Sequence, residues 1–288
     1  MIAWSPSPGT GGREAALPSP GEVSTTLTGT MRIAILGSGS RGNAVVVESG
    51  DRRILIDAGF SCRELERRMA RVGVEPETLS ALIVTHEHSD HVRGADRFAR
   101  RHGVSLFATG GTLEASSLSP ETRGAAVRLV SGRPEEVSGF EVEPFSIPHD
   151  AAEPVGLTVE DSAGHRLGLV ADLGSRSRLA WGRLVELDFL VLETNHDLGM
   201  LRDGPYPWSL KQRVAGRHGH LSNRDAADGV HELVSDRLRW VVLYHLSQTN
   251  NSPALAAEVV GEALAAEGSR ARLAVTEQDR PTEWLELA

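Results

Sequence analysis

The sequence predicts an α/β fold in which two β-sheets lie between outer helices. Apolar runs of strand length outnumber amphipathic helical stretches in both halves of the chain. The helical stretches separate groups of strands, which points to layered sheets. Histidines and carboxylates recur where the apolar runs stop, and an α/β sheet presents its functional groups at the carboxyl ends of its strands.

The elements follow in order. Arg32-Ile33-Ala34-Ile35-Leu36 reads as a buried strand ending at Gly37, followed by the turn Gly37 to Asn43. Ala44 to Glu48 and Arg53 to Asp57 read as strands around the turn Ser49-Gly50-Asp51. Arg63 to Val72 has helical spacing, with Leu65, Met69 and Val72 on one face. Leu79 to Val84 is a strand, His91 to Arg101 a helix, Val104 to Ala108 a strand and Thr112 to Ser117 a helix. Val127 to Val130, Phe140 to Ile147, and the hairpin Val155 to Glu160 with Arg166 to Ala171 are strands. After a short helix near Arg178 to Leu184 come the strand Phe189 to Leu192 and a loop and helix from Leu201 to Gly216. Asn223 to Val234 is a helix, Trp240 to Tyr244 a strand, Pro253 to Ala266 a helix and Arg272 to Thr276 a strand.

The 288 residues are 40% hydrophobic and 24% charged, a composition able to build a sizeable core. Residues 1–30 are rich in Pro, Gly, Ser and Thr, lack the basic and apolar regions of a secretory signal, and are expected to be a disordered extension. Met31 opens directly into a strand and is a candidate translation start. No composition shift after it marks a linker, so residues 31–288 are expected to form one domain. The single cysteine, Cys62, excludes an internal disulfide and cysteine-rich zinc modules. It fits a reducing, cytoplasmic setting, and no apolar run is long enough to span a bilayer. The net charge of -9 argues against a blanket electrostatic grip on nucleic acid but leaves room for a local basic path.

The densest chemistry is Thr85-His86-Glu87-His88-Ser89-Asp90-His91, directly after an apolar strand. His86 and His88, two apart in extended chain, project to the same side and can share an ion. Asp90 and His91, where the chain bends into a helix, can face a second ion. Imidazole and carboxylate donors suit zinc, manganese or iron. A polar loop capped by Asp90 is the competing reading, and the spacing of four donors argues against it. His149, Asp172, His196 and His245 close other strands, so six of the eleven histidines stand at strand ends.

These segments resemble the metallo-β-lactamase fold, with Asp57, His149, Asp172 and His245 in that family's order. The resemblance covers nearly all of residues 31–288 and implies a four-layer αβ/βα sandwich with two divalent metal ions, zinc or manganese, in its edge cleft. It places His86, His88 and His149 on one ion, Asp90, His91 and His245 on the other, Asp172 between them, and Asp57 behind the ligand loop. Main-class lactamases have a cysteine where this chain has Asp172, so the carboxylate is similar to glyoxalase II and phosphodiesterase branches instead.

His220, just before a helix, and Glu193, after a strand, are similar to a pair in the tRNA 3′-processing endonucleases of this fold. A cap for the helix is the alternative role for His220. Gly37 to Asn43, Glu193 to Asp197, Pro205 to Arg213, Gly219 to Asn223 and His245 to Asn251 together resemble the bacterial YycJ/WalJ group, which implies 5′-to-3′ DNA exonuclease activity in repair or replication. The catalytic residues implied are Asp90, His220 and Glu193. Substrate contacts are expected from Ser38, Ser40, Asn43, His196, Lys211 and Arg213, and Trp208 is a candidate to stack on a base. Arg63, Arg67 and Arg71 recur at helical spacing and read as a solvated face. The expected partner is nucleic acid, DNA ahead of RNA, with no membrane and no obligate protein partner. The space between Asp172 and His245 is already filled by predicted elements, so the clamp domain of ribonuclease J relatives has no room. A thioester or ester hydrolase of the glyoxalase II type is the alternative. A non-catalytic metal-binding module is a third reading, weakened because every ligand position is filled.

Overall fold

In the computed structural model, which describes residues 1, 3 and 30–287, two seven-stranded sheets pack face to face. The expected disordered extension lies almost wholly outside the described residues. The first sheet uses β1 (Arg32–Gly37), β2 (Ala44–Ser49), β3 (Arg52–Ile56), β4 (Ala81–Ile83), β5 (Ser105–Thr109) and β6 (Val127–Leu129). The second uses β7 (Glu135–Val137), β8 (Phe140–Ser146), β9 (Val155–Glu160), β10 (Arg166–Val170), β11 (Phe189–Glu193), β12 (Trp240–Tyr244) and β13 (Arg272–Val275). A last strand, β14 (Leu285–Glu286), returns to pair antiparallel with β1, so the orders are β14-β1-β2-β3-β4-β5-β6 and β13-β12-β11-β10-β9-β8-β7.

The helices are α1 (Cys62–Arg71), α2 (Ser89–Val92), α3 (Ala95–His102), α4 (Gly110–Ala115), α5 (Pro120–Ala125), α6 (Arg178–Trp181), α7 (Leu198–Asp203), α8 (Trp208–Val214), α9 (Asn223–Leu233) and α10 (Pro253–Ala266). Strand residues alternate between faces, and both faces of each sheet are covered. Ile33, Ile35, Val45, Val47, Ile54 and Ile56 meet Val142, Leu157, Leu169, Val191 and Val242 between the sheets. Their neighbours Val46, Leu55 and Leu82 pack outward under Leu65, Met69 and Phe98 of α1 and α3. On the other side Leu190, Leu192, Val241 and Leu243 pack under Ala226, Val230 and Val260 of α9 and α10. Each fully buried large aliphatic chain stabilises the fold by about 1.5–3 kcal/mol. The layers therefore run helix, sheet, sheet, helix, as the resemblance implied.

Some elements differ from expectation. The predicted helix from His91 to Arg101 is divided into α2 and α3, and α2 starts early enough to include Asp90 and His91. The break falls at Gly94, whose N–H donates to Ala58 O at 2.8 Å, and a Cβ there would lie 2.1 Å from Phe60 O. The predicted helix from Thr112 starts instead at Gly110, because Thr109 caps it through a hydrogen bond from Thr112 N. The stretch from Leu201 to Gly216 holds the end of α7 and all of α8. The sequence reading missed α5, β7 and β14, all six residues or shorter and too brief to show a period.

Candidate metal centre

Residues from both sheets converge at strand ends. The loop after β4 brings His86 and His88, and α2 brings Asp90 and His91. His149 follows β8, Asp172 follows β10 and His245 follows β12. Asp57 and His245 take left-handed backbone conformations, φ 61° and 57°, immediately beyond or close beyond their strands. Such conformations are costly for non-glycine residues and are found at functional sites.

Two groups of donors result. His86, His88, His149 and Asp172 form one, and Asp90, His91, Asp172 and His245 the other, with the candidate ligand atoms of each within 4.8 Å of one another. Asp172 belongs to both.

The hydrogen bonds behind the cluster orient the rings. His91 Nδ1 donates to Asp57 Oδ2 at 2.7 Å, His86 Nδ1 to Thr85 Oγ1 at 3.0 Å and His149 Nδ1 to Gly219 O at 3.1 Å. In each ring Nδ1 is engaged outward and Nε2 faces the cluster, the orientation a metal ligand needs; on His91 that nitrogen must give up a proton before it can ligate. His88 is turned the other way, and its Nδ1 faces His149 Nε2 at 3.3 Å.

Two buried atoms are left over. His86 Nε2 comes within 3.3 Å of Asp172 Oδ2 without a hydrogen bond, and Asp172 Oδ1, although 3.0 Å from His245 Nδ1, makes none either. Native interiors rarely leave such atoms unpaired without a missing partner. The donor set and these orphans fit divalent cations.

The electrostatics agree. Burial and the neighbouring charge of His91 push His86 down to about 4, so its ring is neutral and ready to ligate. Burial would also lower His91, but the carboxylates of Asp57, Asp172 and Asp90 outweigh it and hold it up to about 10. Burial would raise Asp90, yet His91 and His245 bring it down to about 2. His245 is held well above, and Asp172 well below, its ordinary value: burial opposes both shifts, and their mutual attraction overcomes it. Without cations the cluster therefore depends on protons to balance its carboxylates.

Beside this cluster, His220 Nδ1 donates to Glu193 Oε1 at 2.6 Å. Glu193 is fully buried, and its Oε2 accepts from Leu173 N at 2.6 Å and Leu221 N at 3.1 Å. Burial would lower His220, but Glu193 outweighs it and raises the ring. The His220 ring lies 5.3 Å from that of His245 and 5.4 Å from that of His149. It does not cap α9: Ser222 does, in a reciprocal capping box with Asp225.

The expected substrate contacts divide. Ser38 and Asn43 are buried, and their polar groups hold the site. Ser38 Oγ accepts from His245 N at 2.7 Å, and Asn43 Nδ2 lies 3.3 Å from Asp90 Oδ2 and 3.1 Å from His91 Nε2. His196 is also buried and turned inward, with Nδ1 unpartnered. Ser40 is exposed; Lys211 is half-buried and donates to Arg202 O; Arg213 is exposed and pairs with Asp150, the neighbour of His149. Sequence reading missed Thr85, and also Asn195, whose Nδ2 donates to His245 O at 2.9 Å. Thr85 stands within the motif, but nothing local shows that its hydroxyl donates to Asp57, 28 residues away. Glu87, given no role, accepts from Ala152 N and ties the ligand loop to the segment after His149.

Comparisons with known proteins bear on the family and the fold. Exodeoxyribonuclease WalJ of Streptococcus pneumoniae serotype 2 (strain D39 / NCTC 7466) is 33% identical over 231 residues, covering 78% of this chain and 85% of the relative. Exodeoxyribonuclease YycJ of Bacillus anthracis is 32% identical over 250 residues, covering 83% and 90%. Among solved structures, the metallo-beta-lactamase fold protein YhfI from Bacillus subtilis aligns with a TM-score of 0.67 at 18% identity, covering 90% of this chain and 100% of that one. Human tRNase Z, short form, aligns at 0.59 and 16% identity, covering 87% and 98%. These two likenesses concern the fold. The model of the metallo-beta-lactamase superfamily matches residues 37–207, and this chain belongs to that superfamily.

Proposed function

We propose that this chain is a dinuclear metal-dependent phosphodiesterase, a 5′-to-3′ DNA exonuclease serving repair or replication, with residues 31–288 as its catalytic domain. Relatives named exodeoxyribonuclease, matched over most of their length, support a nuclease. The observation that carries the reading is the Glu193–His220 pair, 2.6 Å apart and beside the donor cluster. An ester or thioester hydrolase gives that pair no task.

One ion, zinc or manganese, would be held by His86, His88 and His149, the other by Asp90, His91 and His245, with Asp172 shared. Bound there, the ions supply Lewis acidity and make water acidic enough to react near neutral pH. Asp90, less buried than its neighbours, would orient the attacking water. His220 would place a proton on the leaving oxygen, with Glu193 fixing the ring and keeping it protonated. Ser40, Lys211 and Arg213 are the remaining candidates to contact substrate, and Arg213 would exchange Asp150 for a phosphate. Among the described residues no helix is long and apolar enough to cross a membrane. A cytoplasmic setting is part of the same reading.

The test is an assay with zinc or manganese on 5′- and 3′-labelled single- and double-stranded DNA and RNA. The expected result is stepwise release of nucleotides from the 5′ end of DNA. Thioester hydrolysis with no action on nucleic acid would overturn the proposal, and digestion from the 3′ end would overturn its polarity.

A further inference from the structure

A groove of about 570 Å³ lies between α1 and α3 on the outside of the first sheet. Arg63 on α1, Arg93, and Arg97 and Arg101 on α3 line it. The chain carries 39 acidic and 30 basic residues, and many of its arginines sit against carboxylates. Arg32, Arg67, Arg68, Arg183, Arg213 and Arg237 are examples. Among the described residues the side chains of Arg63, Arg93 and Arg97 make no ion pair and no hydrogen bond, which exposed arginines such as Arg71 and Arg270 share; what sets these three apart is that they line one groove. Glu66, the carboxylate in the groove, is already committed to Arg101 at 3.1 Å, to His102 and to the thiol of Cys62. The groove therefore keeps an uncompensated positive charge in an acidic protein.

The groove is built on the back of the candidate metal centre. Gly94, which lines it, donates to Ala58 O, and Ala58 N donates to His91 O at 2.7 Å. Gly59 packs so closely that a Cβ on it would lie 1.7 Å from Asp90 O. Arg93 is two residues beyond His91, and Arg97 and Arg101 continue one turn apart, about 6 Å along the helix axis. Three of the four arginines thus lie on the segment that follows the ligand loop in the chain.

We propose that the α1–α3 groove is an anchoring subsite for the phosphate backbone of a single-stranded nucleic acid whose end is being cut. Guanidinium groups without carboxylate partners bind phosphate through charge-assisted hydrogen bonds. A row of them beside a reaction centre draws a polyanion along it. This inference rests on the nuclease reading for what the strand is.

The test compares Arg63→Gln/Arg97→Gln with Arg71→Gln/Arg270→Gln, which removes the same charge from exposed positions outside the groove. The probes are a labelled single-stranded DNA of about 20 nucleotides and bis(p-nitrophenyl) phosphate, which is too short to reach the groove. The groove variant should raise KM for the long strand about tenfold, leave its kcat unchanged, and flatten the log–log salt dependence of affinity by about 1.4, the slope expected for two lost contacts. Its turnover of bis(p-nitrophenyl) phosphate should equal that of the control. Matching KM and salt slope in the two variants would overturn the inference. If the unaltered protein cuts no nucleic acid, the nuclease reading falls. Anisotropy of the intact labelled strand then decides the groove separately: weaker binding by the groove variant upholds it, and equal binding overturns it.

Discussion

Asp57 Oδ2 accepts a hydrogen bond from His91 Nδ1 at 2.7 Å, while Asp57 Oδ1 accepts from Thr85 N at 2.9 Å. One buried carboxylate ties both ends of the ligand segment and sets the His91 tautomer. Supporting partners of this kind are worth about 10–100-fold in metal affinity. Asp57→Ala should lose metal at correspondingly lower chelator concentrations, measured by metal content after dialysis against graded chelator. Unchanged retention would remove Asp57 from this role.

The Glu193–His220 pair predicts a different signature. His220→Ala should keep its metal but lose about 10²–10⁴-fold of its turnover, the usual contribution of a positioned acid. Glu193→Gln should shift turnover in the same direction. Metal analysis beside single-turnover kinetics on labelled DNA checks this, and full turnover by His220→Ala would exclude the proton-donor role.

Gly59 is a spacing requirement. The added methyl of Gly59→Ala would collide with backbone at Asp90 O, which no side-chain rotation relieves. The variant should show both a lower Tm and reduced metal content. A variant with unaltered metal content would show that the Asp90 segment tolerates displacement.

Metal removal should destabilise the whole fold. The donors come from both sheets, so ions bound there hold the two halves together, and binding at a hundredfold excess over Kd stabilises by about 2.7 kcal/mol. Melting curves with added zinc or manganese should lie above those in chelator. Coincident curves would mean that the cluster does not bind the ions in the folded state.

Glu64 predicts an acid-sensitive contribution outside the site. Its hydrogen bond to Arg67, joined by one to Arg68 and opposed by burial, brings its carboxyl down to about 2. A depressed carboxyl stabilises above its unfolded value of about 4.3 and loses that contribution as pH falls through the folded one. The Tm difference between the unaltered protein and Glu64→Gln should be largest near neutrality, shrink as pH falls below about 5 and vanish only below about pH 2. A difference independent of pH would assign the effect to packing.

By itself the sequence determined the layers and which side chains could serve as donors. Strand alternation is a local period, so Val45, Val46 and Val47 announce a strand buried on both faces before any partner is known. The ends of such runs mark where His149, Asp172 and His245 emerge. Only the tertiary structure decided how those donors are held and which polar residues face inward. Asn43 N donates to Asp90 O across 47 residues, and Ser38 Oγ accepts from His245 N across 207. The division of α2 from α3 depends on Gly94 meeting the Ala58–Phe60 backbone. The unpaired state of Arg63, Arg93 and Arg97 depends equally on which carboxylates come near. Contacts between distant segments leave no periodic trace in sequence, so the bracing of the ligand loop by Ser38 and Asn43 became visible only in the structure, while Ser40 of the same turn stays exposed.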